Sequence, residues 1–304
     1  MRTIKKVASH IFIDGFGGMT QGLFATLIIG TMIQQIGLLI GGSTGNVIYL
    51  LGKAAAALTS AGIGVGVAVK YGESPLVTVS AAVAAMVGGY AGKITGGTFF
   101  VDGNAVLAGP GEPLGAFIAA FAGITCGHLV SGKTKVDIIV TPVITIGAGS
   151  VVGLLVGPPI SQMMTGLGSI INWATEQRPF IMGIVVSVVM GMVLTLPISS
   201  AALGIILNLS GLAAGAATIG CCCNMVGFAV ASYRENKFGG LVAQGLGTSM
   251  LQVPNIMRHP LIWLPVIFSS AILGPVSTIL ANMQNNATGS GMGSAGLVGQ
   301  ITTY

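Results

Sequence analysis

The sequence predicts an all-α polytopic membrane protein, with about ten transmembrane helices arranged as two structurally repeated halves. Three observations predict it. Only 6% of the 304 residues are charged and 53% are hydrophobic, whereas soluble domains carry about 25% charged residues. Apolar runs long enough to cross a bilayer recur along the chain, without the short-range alternation of barrel strands. The 49 glycines suit membrane helices, where small residues let backbones approach.

Charge excludes several functions. The net charge of +5 comes from basic residues placed singly at the ends of apolar runs, a topology signal rather than a nucleic-acid surface. Arg2, Lys5 and Lys6 are followed by an Asp- and Gly-bearing stretch, so no cleavable signal peptide is expected and the first span targets the chain. The cysteines, Cys126 and Cys221-Cys222-Cys223, lack metal-ligand or redox spacing and read as small buried apolar residues. No metal, cofactor or catalytic residue is assigned.

Taken in order, Met1 to Gln21 is too polar to span and reads as an interfacial amphipathic helix, with Ile4, Val7, Ile11 and Phe12 opposite Lys5, Lys6 and His10. A first span covers about Gly22 to Ile40, the turn Gly41–Asn46 follows, and a second covers Val47 to Val69. The basic turn Lys70–Pro75 is placed in the cytoplasm. A third span covers Leu76 to Gly92 and a fourth Leu114 to Val130, ending at the basic turn Ser131–Lys135. The fifth, Val136 to Val156, ends at Gly157-Pro-Pro159 because proline removes a helix donor. Ser161 to Arg178 reads as a second interfacial helix. Further spans are expected at Phe180–Leu196, at Ala201–Ala231 with a break around Asn208 to Gly220, at Phe238–Val253 and at Leu261–Met283.

The two halves are 1–160 and 161–304. Gly22, Gly30, Gly66, Ala68 and Val69 match Gly183, Gly191, Gly227, Ala229 and Val230 at one constant spacing. Glycine- and proline-rich interruptions are expected to form re-entrant hairpins, and interruptions in two repeated halves point to a transporter's binding site.

The most informative interruption is Asp102 to Ala116, which carries Asp102, Asn104, Gly109, Gly111, Glu112 and Pro113 between apolar runs. Irregular backbone at membrane depth survives only where it is buried in protein or lines a wet cavity, and a carboxylate there is costly. A hydrated loop is the competing reading. A second set of polar groups, Asn285, Asn286, Thr288 and Ser290, lies in the C-terminal Gly-rich stretch, and a hydrated terminal loop competes there on even terms. Arg258 and His259 could hold a phosphate and accept a proton, although a basic pair between Pro254 and Pro260 also suits a membrane-edge turn. Thr195 and Ser199 flank a helix break and could line a path, or satisfy carbonyls freed by Pro197.

Val156-Gly-Pro-Pro-Ile160, the amphipathic segment to Trp173, and Met182-Gly-Ile-Val-Val-Ser-Val-Val-Met-Gly-Met192 resemble the membrane (IIC) subunits of the sugar phosphotransferase system, closest to the fructose/mannitol-like branch. Where that family has an Asp-bearing break, this chain reads Thr195-Leu-Pro-Ile-Ser-Ser200. Gly109-Pro-Gly-Glu-Pro113 is similar to the Gly-x-x-Glu-Pro motif of the glucose-type branch, whose Glu bonds the sugar. The ending Gly-Ser-Gly-Met-Gly-Ser-Ala-Gly-Leu-Val-Gly looks like a divergent subgroup that includes toxin-regulator-type membrane proteins.

The resemblance implies a homodimer in the bacterial inner membrane and a sugar-like solute bound near the membrane midplane. It also implies a separate cytoplasmic phosphoryl-donor subunit, with which alone the chain would take part in phosphorylation. Two other functions stay open: a non-phosphorylating transporter or channel for a small polar solute, and a sensor or regulator that keeps the fold.

Overall fold

The computed structural model describes residues 14–107, 109, 111–175, 178–196, 200, 203–204, 207 and 209–303; within these, the side chains of 161, 164–165, 167–175 and 287–288 are not described. The Met1–Gln21 segment assigned to an interfacial helix therefore lies largely outside the described residues. The protein is an all-α membrane protein. Among the described residues, five helices are long and apolar enough to cross a bilayer, or six when one bent pair counts as a span. The chain divides into two compact units, Met1–Gln162 and Met163–Tyr304.

In the first unit, helix α1 (Phe16–Ile40) turns back at Gly41 into α2 (Gly42–Ala57), which is followed by α3 (Thr59–Lys70) at a 53° bend. α1 thus begins earlier than expected, and the turn expected over Gly41–Asn46 shrinks to one glycine at φ +66°. α3 packs on the first half of α1 and α2 on the second. Glycines permit this closeness: a Cβ on Gly18 would lie 2.6 Å from the Gly66 carbonyl oxygen, and one on Gly30 2.8 Å from that of Gly52.

Helix α4 (Pro75–Gly89) opens with Pro75 in its first turn and Ser74 as its N-cap, the hydroxyl accepting from the Val77 N–H at 3.4 Å. A short α5 (Ala91–Thr95) and a hairpin of β1 (Phe100–Val101) with β2 (Asn104–Ala105) follow. Helix α6 (Pro113–Val130) packs on α3 and α4. Small residues meet at the α4–α6 contact: Gly88 and Gly89 of α4 face Gly115, Ala116 and Ala119 of α6, and both alanines are fully buried.

Helix α7 (Asp137–Thr175) corrects one expectation. It runs unbroken through Pro142, Pro158 and Pro159 to Thr175, so the segment expected to start a separate helix at Ser161 continues the same one, while the apolar span within it covers Asp137–Ile160 and ends where Gly157-Pro-Pro159 is expected to end it. Each proline removes one donor, but away from water the freed carbonyls gain nothing from unwinding, and the remaining ladder holds. Gly153 of α7 meets α4 and α6, where a Cβ would lie 2.8 Å from Gly88 Cα and 2.9 Å from Ala119 Cβ. Ile138, Val143, Val151 and Leu155 stay exposed, as a lipid-facing stripe should.

In the second unit, α8 (Pro179–Thr195) packs on α9 (Gly211–Ala231) and on α12 (Pro260–Leu280), and α9 packs on α12. α9 is continuous from Gly211, so the break expected inside Asn208–Gly220 falls before that residue. The span expected at Phe238–Val253 is not one helix. Helix α10 (Tyr233–Val242) is kinked at Lys237, followed by a π-turn (Ala243–Gly247), a 3-10 turn (Ser249–Gln252) and α11 (Val253–Arg258). Four glycines between 239 and 247 weaken helix there. A side-chain ladder competes: the Asn255 amide donates to Gln252, Gln252 to Gln244, and Gln244 to the Ser232 hydroxyl, each at 2.8 Å. Beyond α12, α13 (Ala287–Ser290) and α14 (Val298–Ile301) close the chain.

Candidate functional site

Three interruptions of the first unit meet at one place: Leu58 between α2 and α3, Tyr90 between α4 and α5, and Gly109, Gly111 and Glu112 before α6. The Tyr90 ring is 1% exposed. Its hydroxyl donates to the Gly109 carbonyl and lies 3.3 Å from the Ala57 carbonyl at the end of α2. The Glu112 N–H donates to the Gly89 carbonyl at 2.7 Å. Gly111 sits at φ +75°, and a Cβ there would lie 3.1 Å from the Gly89 oxygen and 3.2 Å from the Tyr90 ring. Only glycine fits both the dihedral and the space. Ser60, fully buried in the first turn of α3, faces the same glycine.

Glu112 is the N-cap residue of α6, where the Leu114 N–H faces its carboxyl group without the geometry of a full capping bond. Its Oε1 is buried with no hydrogen-bond partner. An orphaned buried acceptor costs roughly 1–3 kcal/mol, and more when charged. A fold keeps such a group when something else supplies the missing donors. The neighbouring N-termini of α3 and α6 add partial positive charge that favours the carboxylate.

The structure does not bring Asp102 and Asn104 into this site. Asp102 is the first residue of the two-residue turn of the β1–β2 hairpin and Asn104 the first of β2, in the register Val101 opposite Asn104 and Phe100 opposite Ala105. Asp102 at φ +50° and Gly103 at φ +76° take the left-handed conformation such a turn demands. Both side chains are exposed, and the Asn104 amide donates to the Asp102 carbonyl at 3.3 Å. Their residue types serve the turn. Gly109 and Gly111 shape the backbone beside Glu112, and Pro113 starts α6.

In the second unit Asn285, Ser290 and Thr195 are buried, whereas Asn286 is exposed. Asn285 is fully buried, and its amide reaches the Thr218 hydroxyl at 2.8 Å and the Gly299 carbonyl and Thr303 hydroxyl at 3.0 Å. Asn286 accepts from the Gly289 N–H at 2.9 Å, and Ser290 is fully buried. Asn285 and Ser290 are thus not in a hydrated loop, and Asn285 serves as internal glue, while Asn286 is exposed. Thr288 lies on α13 with its side chain outside the described residues, and Ser199 lies outside them altogether. Arg258 and His259 are exposed at the end of α11.

Thr195 joins a network the sequence did not reveal. Its hydroxyl lies 2.9 Å from that of Ser249 and donates to Asn224 Oδ1 at 3.3 Å, which also accepts from Trp263 Nε1 at 3.2 Å. The Asn224 amide donates to the Gly220 carbonyl at 3.1 Å and the Ser270 hydroxyl at 3.2 Å. With its donors and acceptor occupied, Asn224 binds helices together. In the sequence it follows three cysteines and carries no spacing signal. Among the described residues no group of His, Cys, Asp and Glu could hold a metal ion.

The fold and site define a multi-pass α-helical membrane protein whose broken helices converge on one unpartnered carboxyl oxygen. The family described as "Phosphotransferase system, EIIC" matches residues 13–304. The chain belongs to that family, the membrane subunits of phosphotransferase-type sugar transporters. Membership implies a sugar substrate and a separate phosphoryl-donor partner. No curated protein matches the chain.

Proposed function

We propose that the protein carries a sugar or sugar-like polyol across the bacterial inner membrane, gripping it near the membrane midplane with Glu112. A separate cytoplasmic donor subunit phosphorylates it. The observation that carries this reading is the buried, unpartnered Oε1 of Glu112. Sugar hydroxyls are donors, and a carboxylate accepts several at once. Backbone groups of Gly109 and Gly111 border the same place. Thr195 and the 285–290 stretch belong to the second unit and are left a supporting role.

The working unit in this reading is a homodimer of chains with two repeated halves. The bent pair Gly42–Lys70 and the shorter apolar helices α4 and α8 supply passes beyond the five long helices. The 243–258 and C-terminal segments enter as re-entrant passes, towards about ten in all. Supporting the repeat, Gly183 and Gly191 stand at close helix contacts, as Gly22 and Gly30 do.

A thermal-shift screen of hexoses and hexitols on the detergent-solubilised full chain tests the proposal. A ligand at a hundred times its Kd adds about 2.7 kcal/mol of apparent stability, so one or more of these compounds should raise the unfolding midpoint. A complete panel without any shift contradicts the sugar reading.

A further inference from the structure

We propose that the groove between the start of α8 and the end of α12 holds one acyl chain of an anionic phospholipid, with Arg178 meeting the headgroup phosphate. The two helices run antiparallel. The Ser187 hydroxyl donates to the Ser270 carbonyl at 2.7 Å, and the Thr278 hydroxyl to the Pro179 carbonyl at 3.1 Å. Glycine permits the approach, since a Cβ on Gly183 would lie 2.8 Å from the Pro275 nitrogen. Beside this contact lies a cavity of about 400 Å³ whose lining includes Phe180, Ala271, Ile272, Pro275, Ile279 and Leu280. Every lining side chain is apolar, which suits a hydrocarbon chain and offers nothing to a sugar or an ion. Phe180, Ile272, Ile279 and Leu280 are exposed, so the groove opens outward from the helix pair.

Its length fits one leaflet. Leu280 to Ala271 spans about 13 Å of helix, close to half of a hydrocarbon core about 30 Å thick. The polar end is in register with that span. Arg178 is the exposed N-cap residue of α8, just ahead of Phe180. Asn282, exposed at φ +46°, lies just past Leu280 on the neighbouring helix end. A guanidinium and an amide are phosphate donors, and basic pockets between spanning helices take lipid headgroups. Among the described residues of this unit the sole carboxylate is Glu235. It lies beyond the far end of α9, because Gly215 of α9 meets Met283 and Gly227 meets Val266. A zwitterionic headgroup would bring a cation with no described carboxylate to receive it, so the charge at this end selects the anionic class.

Thermal unfolding of the detergent-solubilised full chain, titrated with dioleoyl phosphatidylglycerol or dioleoyl phosphatidylcholine, reads the site. One arginine at a membrane surface favours an anionic lipid by about fivefold, so half of the midpoint rise should need about fivefold less phosphatidylglycerol than phosphatidylcholine. Arg178→Gln should abolish that difference, and Ala271→Phe, which fills the groove, should abolish it too. Arg178 is exposed, so its variant reports even where Ala271→Phe fails to fold. Equal potency of the two lipids on the wild type overturns the proposal. So does a preference that survives Arg178→Gln or a folded Ala271→Phe. Glycerophosphate alone should give no shift, and a shift matching the lipid's would make this a soluble-anion site and overturn the lipid assignment. An Ala271→Phe chain that loses its dimer mass while keeping the lipid preference gives the groove to a second copy, again against the proposal.

Discussion

The backbone N–H of Glu112 donates to the carbonyl of Gly89 at 2.7 Å, tying the start of α6 to the end of α4. That bond fixes where the carboxyl group can point. It depends on Gly111, whose positive φ delivers the chain to it. Gly111→Ala adds a Cβ 3.1 Å from the Gly89 oxygen and forces a left-handed dihedral costing roughly 1–2 kcal/mol. The expected outcome is a thermal midpoint several degrees lower, with sugar affinity lost in greater proportion, measured by thermal shift with and without ligand.

Asp102 and Asn104 belong to an exposed hairpin. Asp102→Ala and Asn104→Ala should each leave sugar affinity within about twofold of wild type, since neither removes a buried partner. A loss comparable to that from Glu112 would place the hairpin turn at the site.

Much of the architecture was legible in the residues. The apolar run from Leu114 to Val130 marks α6 to within a residue, and the acidic residue just before it stands out because a carboxylate is costly there. What failed has physical causes. Nearness in sequence was read as nearness in space for Asp102 and Asn104, although Asp-Gly is also a hairpin-turn signal. Pro158 and Pro159 mark the end of the apolar span but not of the helix, which continues past them to Thr175. The Phe238–Val253 run is apolar enough to span, but Gln244 and Gln252 bond each other across it, a pairing no local pattern encodes. Tyr90 and Asn224 act through tertiary contacts with residues 19 and 39 positions away, and sequence alone does not reveal which partners meet.

Asn224→Leu tests the second unit. It leaves Trp263 Nε1 without its buried acceptor, at a cost of about 1–3 kcal/mol before relaxation, while the Thr195 hydroxyl keeps the Gly191 carbonyl at 3.2 Å. In a Trp173→Phe background, Trp263 is the sole tryptophan. Its emission should shift and the thermal midpoint fall. An unchanged spectrum and midpoint would remove the network from the account of this unit.

Close helix approach gives a contrast between two glycines. Gly30→Leu drives a side chain into the α2 backbone, whose Gly52 oxygen would be 2.8 Å from the new Cβ. Overpacking of this kind costs about 1–3 kcal/mol or more. Gly147→Ala on α7 meets nothing within 4 Å and should be neutral or stabilise by up to about 1 kcal/mol through helix propensity. Thermal unfolding of the two variants in the same detergent checks both signs.

The central claim is that the Glu112 carboxylate is kept buried because it binds the solute. The most direct measurement is the ligand-induced thermal shift of Glu112→Gln beside the wild type, using whichever hexose or hexitol stabilises the wild type. The account predicts that the variant folds with an unfolding midpoint at or above that of the wild type, because an unpaired buried charge is gone, and that the ligand-induced shift disappears. A Glu112→Gln protein that keeps the wild-type shift contradicts it.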